Sequence, residues 1–437
     1  MPAVASQPRP RTRPLPQVAA SPPPFRLLAV HFVTVVTSAV AGSVGLVLLA
    51  PRLAAGDFFA PSVLATVHLF TLGVLATAIF GVLHQFYPMA LAAPMRSTRV
   101  AWAGAAALIT GMLAVVTGFA SWTPALLAIG WTLLTTAMGA LAWNVLSGRR
   151  HSPHAGAVGL YVSAGHAALG LAILLAGARI GEILGLWTVS RLGIIAVHYH
   201  LAALGFGLLT VVGVGSRMVP MFLVSHGAPA WPLKWIGPLI GAGLLLFAAG
   251  VLGSGALLTW TGASFMAAGV VLHLKLARDY FGKRLRRQLD GALAHARIAF
   301  INLALSVALG ALLLVLPGFQ PRLWITYVAF GLVGFLVLLI LGMLQKLMPH
   351  LGRLHLYRPV SGSPPPDANA LLHQGASQVS LMLAELGLVT FAAGVLAGDG
   401  AVARIGAIAW LAAVVIIVGQ FVRIVRMLRL TTKTRRA

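Results

Sequence analysis

VHLFTLGVLATAIFGVLHQFYPM, residues 67–89, recurs in altered form further along the chain. Moved forward by 132 positions it falls on YHLAALGFGLLTVVGVGSRMVPM, residues 199–221. His68 then meets His200, Leu69 meets Leu201, Leu72 meets Leu204 and Gly73 meets Gly205. Gly81, Val82, Pro88 and Met89 meet Gly213, Val214, Pro220 and Met221. Chance would supply roughly two identities in so Ala-, Leu- and Gly-rich a sequence. A further step of 129 reaches AFGLVGFLVLLILGMLQKLMPH, where Gly334, Gly342 and Pro349 keep the frame and Ala329 replaces the histidine. A period of this length marks an architectural unit.

Hydrophobic residues make up 59% of the chain, charged residues 9%, and mean hydropathy is +0.94. A water-soluble domain carries about 25% charge, so the partner that solvates this chain is expected to be the lipid bilayer. The net charge of +24 would suggest nucleic acid in a soluble protein. Here the basic residues lie between apolar runs and read as topology signals, so no nucleic-acid partner is expected. The absence of cysteine excludes disulfides, thiolate metal sites and covalent haem attachment, and leaves histidine as the ligand.

Apolar runs long enough to cross roughly 30 Å of hydrocarbon occur twelve times between residues 26 and 425. Only helices satisfy their own backbone in lipid. The expected fold is therefore an all-α polytopic membrane protein of twelve transmembrane helices in three four-helix pseudo-repeats. Residues 1–24 read as a disordered cytoplasmic tail, 25–150 as the first repeat (helices one to four) and 151–295 as the second (five to eight). Residues 296–437 read as the third (nine to twelve), with a cytoplasmic loop at 350–371. FAAGVL occurs at both 247–252 and 391–396, and Gly118 and Gly130 match Gly250 and Gly262 at the 132 shift. His31 on helix one is matched with His166 and Asn302. All basic residues except Arg52, Arg179, Arg191, Arg322 and Arg404 fall on the side holding both termini, which makes that side cytoplasmic.

An imidazole within hydrocarbon is costly unless paired or coordinating. Of fourteen histidines, seven (His151, His154, His226, His295, His350, His355 and His373) read as loop or helix-end residues. His68, His198 and His200 form an outer tier. Residues two apart on a helix diverge by about 200°, so His198 and His200 are expected to face different cavities. His200 shares the register of His68 and is assigned with it to a cleft between helices two and six. Two imidazoles on facing helices are what a six-coordinate b-type haem requires, with Gly73 and Gly205 opening a slot for the porphyrin. The bland alternative has each histidine hydrogen-bonded to a neighbouring helix. His31, His84, His166 and His273 form an inner tier, of which the first three would hold a second haem or a copper ion, or else reach interfacial water. Glu385 reads as a lone protonated carboxyl bonded to a neighbouring helix, against a proton-relay role that would need partners.

The threefold twelve-helix plan, with AVHYHLAALGFGLLTVVGVGSRMVPMF at residues 196–222, resembles subunit I of the haem–copper oxidases and their His-x-His helix. The resemblance implies that His68 and His200 hold a low-spin haem b, with His198 facing a neighbouring cavity that would suit nitric oxide or oxygen. The chain has no His-His pair and no His-Pro-Glu-Val-Tyr motif, so the copper-site ligands are missing and a complete terminal oxidase is not expected. That profile is similar to the NnrS family of oxidase-like haem proteins linked to nitrosative stress. It implies a protein of the bacterial inner membrane that transfers electrons, binds a gas, or supports respiratory or denitrifying enzymes, with other respiratory-chain subunits as partners. Two readings without haem stand beside it, a transporter and a membrane copper-handling protein.

Overall fold

The computed structural model describes residues 24–91, 95–146, 156–189, 191–253, 255–286, 288–316, 318, 320–356 and 367–433. The tail expected at 1–24 lies outside them except for Pro24. Among the described residues, twelve helices are long and apolar enough to cross a membrane. They are α1 (Phe25–Ala54), α2 (Pro61–Phe86), α3 (Thr98–Ala120), α4 (Pro124–Asn144), α5 (Gly156–Ile183) and α6 (Leu192–Leu223). Then follow α7 (Pro232–Leu252), α8 (Ala256–Gly282), α9 (Gly291–Val315), α10 (Pro321–Arg353), α11 (Gln374–Ala397) and α12 (Gly400–Leu428). Proline opens α2, α4, α7 and α10, where its missing N–H has no helical partner to lose. Ser97 and Asp290 cap α3 and α9 by accepting from Val100 N and Leu293 N.

The order of burial separates two classes of helix. In α2, α6 and α10 the membrane-length window is 67%, 61% and 78% buried, against 22–44% in the other nine. These three therefore form the centre. The rest surround them, and α12 returns to lie along α1, where Trp410 Nε1 donates to Ser43 Oγ at 3.1 Å. Large apolar side chains such as Leu48, Leu174, Leu245 and Leu257 stay exposed on the periphery, as a lipid-facing surface requires.

Each central helix contains a wider π-helical stretch, Leu69–Ala76, Leu201–Leu208 and Ala329–Val337. The first two begin directly after His68 and His200. Such stretches interrupt α-helices mostly at functional positions. The peripheral pairs α3–α4, α7–α8 and α11–α12 are tight hairpins whose backbones meet at glycine. A Cβ on Gly111, Gly243 or Gly387 would lie 3.1, 2.8 or 2.8 Å from the carbonyl oxygen of Gly130, Gly262 or Gly406. Only glycine permits that approach.

Two expected boundaries move. The third unit was placed from residue 296, but α9 already begins at Gly291, capped by Asp290. The loop expected from residue 350 is helical through Leu356 and again at Ala368–Leu371, while 357–366 lie outside the described residues. Pro349 sits inside the helix; in a bundle, neighbouring helices compensate the single backbone bond it removes.

Candidate functional site

His68 ends the first α-helical stretch of α2, and its Nδ1–H donates to the carbonyl of Leu64 at 2.7 Å. Its ring stacks on Phe119 of α3, with centroids 4.9 Å apart and planes at 30°. His198 of α6 donates through Nδ1–H to the carbonyl of Ala172 on α5, at 2.9 Å. Both rings line one cavity of about 330 Å³, whose other walls are almost wholly apolar and include Trp131, Phe206 and Trp324. In each ring the backbone carbonyl fixes the proton on Nδ1, so Nε2 carries the lone pair. That is the arrangement in which histidine binds a metal, with its second nitrogen tied to an acceptor.

His200 stands elsewhere. Its Nδ1–H donates to the carbonyl of Ala196 at 2.7 Å, and its Nε2 accepts from the hydroxyl of Tyr327 on α10 at 2.9 Å. The ring packs against Phe247 of α7 at 4.7 Å and beside Trp324, and it does not line the cavity that holds His68. The expectation that His200 shares a cleft with His68 while His198 faces a different cavity is therefore reversed. His198 shares the cavity of His68, and His200 faces the adjoining interface between α6, α7 and α10. Their divergence was readable from the spacing; which one meets which cavity depends on the rotation of α6, and spacing is silent on that.

At the opposite end of the bundle His31 and His84 come together, with ring centroids 6.0 Å apart and planes tilted by 40°. Each donates through Nδ1–H to a carbonyl one turn back, Leu27 and Phe80, both at 2.8 Å. Each leaves a buried Nε2 without a hydrogen-bond partner. His166 does not join them. It donates to the carbonyl of Val162 at 3.0 Å and meets Phe206 edge-on. Among the described residues no three of His, Asp or Glu gather where they could hold an ion, so the expected inner trio is a pair.

The register explains why. Gly81 leaves room for His31, whose Cβ would lie 2.9 Å from a Cβ on that glycine, and Gly213 leaves the same room for Tyr161 at 2.8 Å. Gly342 faces His295 in the same way. The residue matched to His31 is therefore Tyr161 in one unit and His295 in the next; the His166 and Asn302 pairing is corrected.

His295, set aside from the sequence as a helix-end residue, is fully buried. Two steps of 132 from His31 land on it, a signal that was present in the chain. Its Nδ1–H donates to the carbonyl of Gly291 at 2.7 Å, and Gln345 Nε2 stands 3.4 Å from its Nε2. Ser377 Oγ donates to Gln345 Oε1 at 2.6 Å. His273, buried on α8, leaves both ring nitrogens unpartnered beside a second cavity of about 130 Å³. Glu385 has the neighbour-helix partner expected of it, because Asn302 Nδ2 of α9 donates to its carboxylate at 3.0 Å. No protein-family model matches the chain, and no curated protein matches it.

Proposed function

We propose that the chain is an integral membrane b-type haem protein built on a plan like that of oxidase subunit I, in which His68 and His198 would hold the haem. One observation carries this reading. Two imidazoles from different helices line one apolar cavity, each with Nδ1 tied to a backbone carbonyl and Nε2 left for a metal. The cavity falls within the roughly 300–1,000 Å³ usual for small-molecule and cofactor sites. Arg179, ion-paired with Glu182, lines it too. The π stretches in α2, α6 and α10 and the three glycine hairpins support a threefold repeat of four helices. The basic residues gathered at the end away from His68 support cytoplasmic termini in a bacterial inner membrane.

A haem held there would supply one-electron transfer or gas binding. The protein's part is to orient the ligands. Phe119 and the carbonyls of Leu64 and Ala172 hold both rings in one tautomer and one direction, and the apolar wall excludes water and keeps the surroundings of low polarity. His200 has no part in ligation, since its Nε2 lone pair is taken by Tyr327.

The test is the absorption spectrum of the purified protein, oxidised and dithionite-reduced, for the wild type, His68→Ala, His198→Ala and His200→Ala. Loss or reshaping of the reduced alpha band in the first two variants, with His200→Ala unchanged, is the expected result. Haem-free wild-type protein, or a band that survives both cavity substitutions, would overturn the reading.

A further inference from the structure

We propose that His31 and His84 form a two-coordinate site for a monovalent d10 cation, Cu(I) in chemical class, apart from the haem cavity and independent of it. Both rings are almost inaccessible, at 1% and 3% exposure. Both are held with the proton on Nδ1, by the carbonyls of Leu27 and Phe80. Two Nε2 lone pairs are thus buried on neighbouring rings with no hydrogen-bond donor for either. Neutral imidazole nitrogens in this tautomer cannot hydrogen-bond each other, so the pair needs a third species, a metal ion, a proton or a water, to complete it.

The spacing selects the kind of electrophile. An imidazole nitrogen binds a first-row ion at about 2 Å, so two rings on opposite sides of one ion have centroids roughly 6 Å apart, and rings at a tetrahedral angle about 5 Å. The observed separation of 6.0 Å is closer to the opened value than to the tetrahedral one. The ligand count points the same way. No third His, Asp or Glu gathers with this pair among the described residues, and the chain has no cysteine. Zinc and Cu(II) take more ligands than this, whereas two-coordination by neutral donors is characteristic of monovalent d10 ions. Gly81 makes the arrangement possible, because any Cβ there would press on that of His31 at 2.9 Å.

The experiment titrates the full-length detergent-purified protein anaerobically with Cu(I) against a chromophoric Cu(I) chelator. Copper K-edge absorption is then recorded on the loaded wild type. One Cu(I) per chain is expected, with two nitrogen scatterers and no sulfur. Affinity should fall at least tenfold in His31→Gln and in His84→Gln and hold in His166→Ala and His200→Ala. Equal affinity in all four variants, sulfur or a third strong scatterer in the spectrum, or no competition by the wild type (a bridging water or shared proton only) would overturn the site. If a glutamine variant fails to fold, the wild-type scatterer count decides alone. The haem spectrum of the same samples keeps the two proposals separate, since neither glutamine substitution touches the His68 cavity.

Discussion

The hydroxyl of Tyr327 on α10 donates to Nε2 of His200 on α6 at 2.9 Å. That bond joins two of the three central helices, and rings from α7 and α10 close around it, with Phe247 4.7 Å and Trp324 6.2 Å from the imidazole. It also removes the lone pair that a His200–iron bond would need. Tyr327→Phe should keep the ring packing and leave Nε2 buried without a donor, at a cost of about 1–3 kcal/mol. Unfolding in detergent measures that cost. If His68 and His198 hold a haem as proposed, its reduced spectrum should not change, and a shifted alpha band would move the proposed ligation to His200.

Much of this arrangement was open to reading and some was not. Runs of some twenty apolar residues define helices wherever lipid forbids other backbone, so all twelve spans were legible. The identities between residues 67–89 and 199–221 brought His68 and His200 into one register, and their π stretches do start at matching positions. Register alone does not set facing. His198, offset by two residues, reaches the cavity of His68 because its Nδ1 finds the carbonyl of Ala172 across the α5 interface, a contact that no spacing reveals. His295 was misjudged for a different reason. A helix-end histidine beside basic residues reads as solvated, yet Gln345 and Ser380 from two other helices each stand 3.4 Å from its Nε2. Polar partners that converge from distant segments leave no local pattern.

Asp290 has two duties at the basic end of the bundle. It caps α9 through Leu293 N at 3.0 Å, and it pairs with Lys346, whose side chain is 8% exposed, and with Arg286 at 3.2 Å. Asp290→Ala removes cap and counter-charge together and strands the buried ammonium, so destabilisation of about 3–5 kcal/mol is expected. Asp290→Asn keeps a capping oxygen and should cost less. Lys346→Met removes the buried cation itself and should cost least, and adding it to Asp290→Ala should recover part of the loss because the two effects are coupled. Thermal unfolding of the four variants checks the order. Equal losses in Lys346→Met and Asp290→Ala would show that the stranded charge is not the source.

Phe119 and Phe247 give a paired test of which histidine serves the cavity. Phe119 stacks on His68 at 4.9 Å and lines the cavity, while Phe247 packs at 4.7 Å on His200 and does not line it. Phe247 is buried and its truncation to alanine should cost about 3–5 kcal/mol by lost packing, whereas Phe119 is half-buried and should cost less, so stability reports burial and not which histidine holds the haem. Haem retention reports the latter. Outer-shell supports of a metal-binding histidine typically change affinity by about 10–100-fold, and Phe119→Ala should speed haem loss to an excess of apomyoglobin by that order. Phe247→Ala should release haem at the wild-type rate, because the ring it frees is already held by Tyr327. The reverse pattern would move the iron to the His200 side and return His198 to a structural role.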